Sequence, residues 1–131
     1  MRVFDKGMLH LISIFELVTG VAPMDCIDEP EKTYFVVDKK KMGAVLANKG
    51  KKIKTLENHI RKRVVIFSYQ ESVEEFLKEA ISDTIKLKEA EDKSLKIFVS
   101  AHDSKKVKGD GDAIKSFLGR LYNVEDVVFR R

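Results

Sequence analysis

Apolar residues recur along the chain with two different periods. Over residues 6–20 they fall at Met8, Leu11, Ile12, Phe15 and Val18, the spacing of a helix with one buried face. Gly20 is placed to end that helix. MDCIDE (24–29) and KTYFVVD (32–38) read as two short strands, with Glu29 and Pro30 as the turn between them. KKKMGAVLA (39–47) reads as a short helical turn and ANKG (47–50) as a break. KKIKTLENHIRK (51–62) is a second helix with Ile53, Leu56 and Ile60 on one face, and RVVIFSY (63–69) is a strand.

The second half runs in the same order. Ser72 and Glu75 form an S-x-x-E capping box, and Val73, Phe76, Leu77, Ala80 and Ile81 make the buried face of the helix it opens. DTIKLKEA (83–90) and SLKIFVSA (94–101) read as a hairpin joined through Glu91, Asp92 and Lys93, with Leu95, Ile97 and Val99 pointing inward. SKKV (104–107) reads as a short turn, KGDG (108–111) as a break, DAIKSFLGRLY (112–122) as a helix and VEDVVFRR (124–131) as a final strand. A shift of 61 positions aligns Leu46 with Val107, Gly50 with Gly111, Ile53 with Ile114, Lys54 with Lys115, Leu56 with Phe117 and Ile60 with Leu121. The pattern is an internal duplication. The expected fold is α+β, two units of the order helix–strand–strand–helix–helix–strand over residues 1–69 and 70–131. Units of roughly 60 residues are near the lower limit for independent folding. No Gly/Ser/Pro-rich linker separates them, so they are expected to pack as one rigid body.

Charge sharpens the picture. The 131-residue chain carries a net charge of only +4, but residues 39–63 hold ten Lys and Arg against the single acid Glu57, a local +9 that leaves −5 elsewhere. Such concentration is the footprint of a polyanion site. Phe67, Phe98 and Phe117 fall on apolar-periodic segments and are expected in the core. Cys26 is the only cysteine, which excludes an intramolecular disulfide and suits a reducing compartment. His10, His59 and His102 are far apart and have no metal-ligand spacing, so no metal or cofactor is expected. The apolar stretch near the start is interrupted by His10 and Glu16 and is too short to span a membrane, so a soluble cytoplasmic protein is expected. No nucleophile–base pair or cofactor fingerprint marks an enzyme or a small-molecule substrate site.

At the break, the second helix starts with unpaired N–H groups and a positive dipole end, beside Lys49, Lys51 and Lys52. An anion is favoured there. A nucleotide-binding P-loop is excluded: Gly43 lies seven residues before Gly50 instead of five, and Lys51 is followed by Lys52, not Ser or Thr. The surrounding strands argue against a duplex-DNA helix-turn-helix.

The element order, with a G-x-x-G-like loop followed by basic residues, resembles a KH domain of the prokaryotic type (type II). FELVTGVAPMDCIDE (15–29), VVDKKKMGAVLANKGKKIKTLE (36–57), SVEEFLKEA (72–80) and VEDVVFRR (124–131) together resemble the archaeal NusA family of tandem KH transcription factors along nearly the whole chain. The resemblance implies single-stranded RNA as partner, in transcription elongation or termination. It also implies a loop backbone that clamps about four nucleotides, with bases in an apolar groove beside it, here near Met42, Val45 and Ile53. The implied RNA-binding residues are Met42, Gly43, Ala47, Asn48, Lys49, Gly50, Lys51, Lys52 and Lys54. A weaker second site comprises Lys105, Lys106, Lys108, Gly109, Asp110, Gly111 and Lys115. Ala47 and Lys108 stand where the family has the loop's first glycine, and Asp110 and Asp112 add negative charge to the second loop, so the first unit is expected to do most of the binding. RNA polymerase or another transcription protein is a further implied partner. The alternative is a KH-fold protein-docking module whose loops no longer bind RNA.

Overall fold

A computed structural model describes residues 5–90 and 94–131; Glu91, Asp92 and Lys93, expected as the hairpin connection, lie outside them. The chain divides into two compact units, Met1–Tyr69 and Gln70–Arg131. Unit 1 runs α1 (Lys6–Thr19), β1 (Asp25–Asp28), β2 (Lys32–Asp38), a 3₁₀ turn (Lys39–Lys41), α2 (Met42–Val45), α3 (Ala47–Ile60) and β3 (Arg63–Tyr69). Asp5 caps α1 by accepting the Met8 N–H at 2.8 Å. Gly20 stops it in the left-handed region, φ 74°, donating its N–H to the Glu16 carbonyl. In the sheet, β2 is central, antiparallel to β1 and parallel to β3. Phe35 and Val37 join Phe15, Cys26, Val45 and Leu56 in the core, and the Phe15 and Phe35 rings lie 4.4 Å apart. This packing fixes α2 and α3 with the break between them at the surface.

Unit 2 runs α4 (Val73–Ala80), β4 (Lys86–Glu89), β5 (Leu95–Phe98), α5 (Ser104–Tyr122) and β6 (Val127–Arg130). The Ser72 hydroxyl accepts the Glu75 N–H at 3.2 Å, the expected cap. Here β5 is central, antiparallel to β4 and parallel to β6, the same pairing as in unit 1. The described residues therefore make an α+β protein with five α-helices and two three-stranded mixed sheets.

Two expectations are corrected. The break expected at residues 108–111 is absent: α5 is one continuous helix through Lys108, Gly109, Asp110 and Gly111, so unit 2 has one helix where two were expected. The reason is burial. Asp110, Gly111, Ala113, Ile114, Phe117 and Leu118 form an unbroken buried face along α5, and that face outweighs the weak helix propensity of the two glycines, about 1 kcal/mol each. Phe98 is the second. Unlike Phe67 and Phe117, which are buried, it is 37% exposed, because the strand alternates and Ile97 takes the inward position.

Candidate nucleic-acid interface

The break in unit 1 is real and has an unusual backbone. Asn48 (φ 58°, ψ 42°), Lys49 (φ 57°, ψ 35°) and Gly50 (φ 78°, ψ 17°) are three consecutive left-handed residues between α2 and the regular part of α3. Glycine takes that conformation freely, while each side-chain-bearing residue there costs roughly 1 kcal/mol or more. Ala47 has no positive φ, so the turn forms without a glycine at its first position. The left-handed run kinks the chain, leaves Asn48 and Lys49 exposed, and gives way to regular helix at Lys51. Exposed Lys40 and Lys41 precede α2, and exposed Lys51 and Lys54 follow the turn. The result is a surface turn with exposed lysines on either side of it in the chain and a regular helix starting after it, an arrangement that attracts anions.

The other expected residues divide. Gly43 is exposed with open space around its Cα, and Met42 and Ile53 are half-buried beside the turn. Val45 does not line a groove: it is fully buried in the core, because α2 is one turn long and needs an anchor. Lys52 has a structural role that the charge pattern did not reveal. Its ammonium donates to the Ala44 carbonyl at 3.0 Å and the Thr19 carbonyl at 3.4 Å, so it ties the ends of α1 and α2 to α3. Leu46, 48% exposed at the turn, was not among the expected site residues. Its only signal in the sequence is its place next to the break.

In unit 2 the second expected site has no loop. Lys105, Lys106, Lys108 and Gly109 are exposed along one straight helix, whereas Asp110 and Gly111 are buried. Lys106 donates to the Ile81 carbonyl at 3.5 Å, and the Lys115 ammonium sits 5.6 Å over the Phe129 ring. Lys108 lines a cleft of about 230 Å³ with Val107, Phe129, Arg130 and Arg131. Among the described residues, no group of His, Cys, Asp and Glu could hold a metal ion, and no helix is long and apolar enough to cross a membrane.

The fold and the turn define the class: an α+β protein whose first unit carries exposed lysines around a left-handed turn. Comparison with known proteins is more particular. The chain is 26% identical over 135 residues, 96% of both chains, to a Halobacterium salinarum protein named probable transcription termination protein NusA. It is 31% identical over 67 residues to the Methanococcus vannielii protein of the same name, a match covering 51% of this chain and 39% of that one. The solved structure titled "Crystal structure of APE1850" superimposes with a TM-score of 0.71 at 26% identity, covering 97% of this chain and all of that one. No protein-family model matches the chain. The resemblance to archaeal NusA is thus borne out by relatives spanning nearly its full length.

Proposed function

We propose that the protein is a NusA-type transcription factor built of two tandem type II KH units, and that unit 1 binds single-stranded RNA. The observation that carries this reading is the left-handed run Asn48–Gly50 between two helices, with Lys49, Lys51 and Lys54 exposed around it. Phosphates pack against the turn and the first N–H groups of α3, drawn in by those lysines. Lys52 holds the turn in place. Bases lie against Leu46, Met42 and Ile53. The similarity to proteins named NusA supports a role in transcription termination or elongation, with RNA and the transcription machinery as partners. Unit 2 contributes less: the straight α5 offers Lys105 and Lys108 as charges but no turn for the phosphates to wrap.

The test is fluorescence anisotropy with short labelled single-stranded RNAs of varied sequence, at low and physiological salt. Wild type should bind with a steep salt dependence. Lys49→Asp/Lys51→Asp should weaken binding about a hundredfold or more, and Lys105→Asp/Lys108→Asp only a few-fold. Equal losses from the two pairs would refute the asymmetry between units. No binding by wild type to any RNA at low salt would refute the RNA reading.

A further inference from the structure

Unit 2 carries a concavity at the end of the sheet where β5 and β6 begin and α5 ends. It measures about 520 Å³, within the range of small-ligand and side-chain pockets. Half-buried Val73, Leu87, Leu95 and Val124 supply an apolar lining. Exposed Glu89, Glu125 and Asp126 stand on its rim. The C-terminus of the 19-residue α5 adds to the same field: the helix closes at Asn123, whose N–H and that of Val124 both turn back to the Leu118 carbonyl. Carbonyls of the last turn give this end partial negative charge.

These features select one kind of occupant. Three carboxylates and a helix C-terminus repel phosphate and anionic lipid, and they attract cations. A bare metal ion would leave the apolar lining unused. Arginine and lysine combine an aliphatic stem with a cationic head, so the stem covers the apolar residues while the head meets the rim. We infer that this pocket docks a basic, apolar-flanked peptide segment of a protein partner. Unit 2 would thereby serve as the protein-binding half of a chain whose other unit takes RNA. The inference rests on unit 2 alone and stands whether or not unit 1 binds RNA.

The probe is a fluorescein-labelled octapeptide alternating arginine and leucine, titrated with the full chain by anisotropy. Its counterpart carries glutamate in place of arginine. Saturable binding of the arginine peptide is expected, and any binding of the glutamate peptide should be lost on Lys49→Asp/Lys51→Asp in unit 1, a change that leaves binding of the arginine peptide intact. Glu125→Lys/Asp126→Lys should weaken it about tenfold or more, while Glu16→Lys/Glu79→Lys, an equal change of net charge outside the pocket, should leave it within about twofold. Far-UV circular dichroism checks the fold, and Glu89→Lys alone serves if the rim pair does not fold. Equal weakening by rim and control variants, or no binding of the arginine peptide, overturns the inference. So does wild-type self-association in sedimentation that the rim variant abolishes, since the occupant is then a second copy. RNA titrated separately reports on unit 1: no RNA binding by wild type at low salt, with peptide binding present, refutes the RNA reading and leaves this one standing.

Discussion

The Lys52 ammonium lies 3.0 Å from the Ala44 carbonyl, reaching back across the turn that separates α2 from α3. With the Thr19 carbonyl at 3.4 Å, it places one positive charge at the C-terminal ends of two helices, where such charge is favoured. Lys52→Met keeps the stem and removes both hydrogen bonds, and should cost about 1–2 kcal/mol. Exposed Lys54, changed to Met, should alter stability by less than about 0.5 kcal/mol. Urea unfolding of the two variants checks this. RNA affinity should fall for both, but only Lys52→Met should also lower the denaturation midpoint. Equal midpoints would mean the Lys52 tie is not formed in solution.

Gly50 and Gly111 occupy equivalent places in the sequence repeat and opposite places in conformational space. Gly50 sits at φ +78° with nothing within 4 Å of an added Cβ, so Gly50→Ala is opposed by backbone strain alone, about 1–2 kcal/mol. Gly111 is helical, and an added Cβ would meet Phe129 and Val107 at 3.5 Å, ordinary contact distance. There Gly111→Ala gains helix propensity and should raise stability by up to about 1 kcal/mol. Thermal or urea unfolding should therefore move the two variants in opposite directions. A shared direction would contradict the difference between the bent and the straight helix.

That pair also shows where the sequence was readable. Periodicity located the strands around Phe35 and Ile97, the cap at Ser72 and the stop at Gly20, because each rests on local chemistry acting within a few residues. The turn at Asn48–Gly50 was legible because Asn and Gly tolerate left-handed backbone and no apolar side chain there needed burying. KGDG looked equally breakable. Whether a glycine-bearing stretch bends or stays helical depends on its burial against distant partners such as Phe129, and a linear pattern does not contain that. The same limit hid the roles of Lys52 and Val45: a lysine run reads as one charge cluster until the fold turns one member toward two carbonyls.

Tyr122 closes a tight polar knot at the entry to unit 2. Its hydroxyl donates to the Gln70 carbonyl and accepts the Gln70 N–H, each at 2.9 Å, while its ring packs on Phe76 at 5.2 Å between centroids. Tyr122→Phe keeps the ring contact and leaves two half-buried backbone groups without the hydroxyl. The expected loss is about 1–2 kcal/mol, with faster amide exchange at Gln70. Hydrogen exchange by NMR separates this local opening from a uniform loss across unit 2, which would refute a local role for the bond.

Asp103 gives stability a specific acid limb. Its carboxylate stays ionised below the ordinary value of 3.8, first through a hydrogen bond from Ser82, then through those from Ser100 and Thr84 and the charge of His102, with desolvation opposing. The Ser100 and Thr84 hydroxyls lie 3.0 and 3.2 Å from its Oδ2, which ties the residue preceding α5 to the segment before β4. A carboxylate whose folded pKa is depressed contributes stability that is fully present above its unfolded pKa and is lost as pH falls through the folded one. Asp103→Asn removes that contribution at every pH. The difference in urea midpoint between wild type and Asp103→Asn should be fully present near pH 5 and shrink as pH drops below about 4. A difference that persists unchanged down to about pH 2 would show that the carboxylate's charge plays no part in that tie.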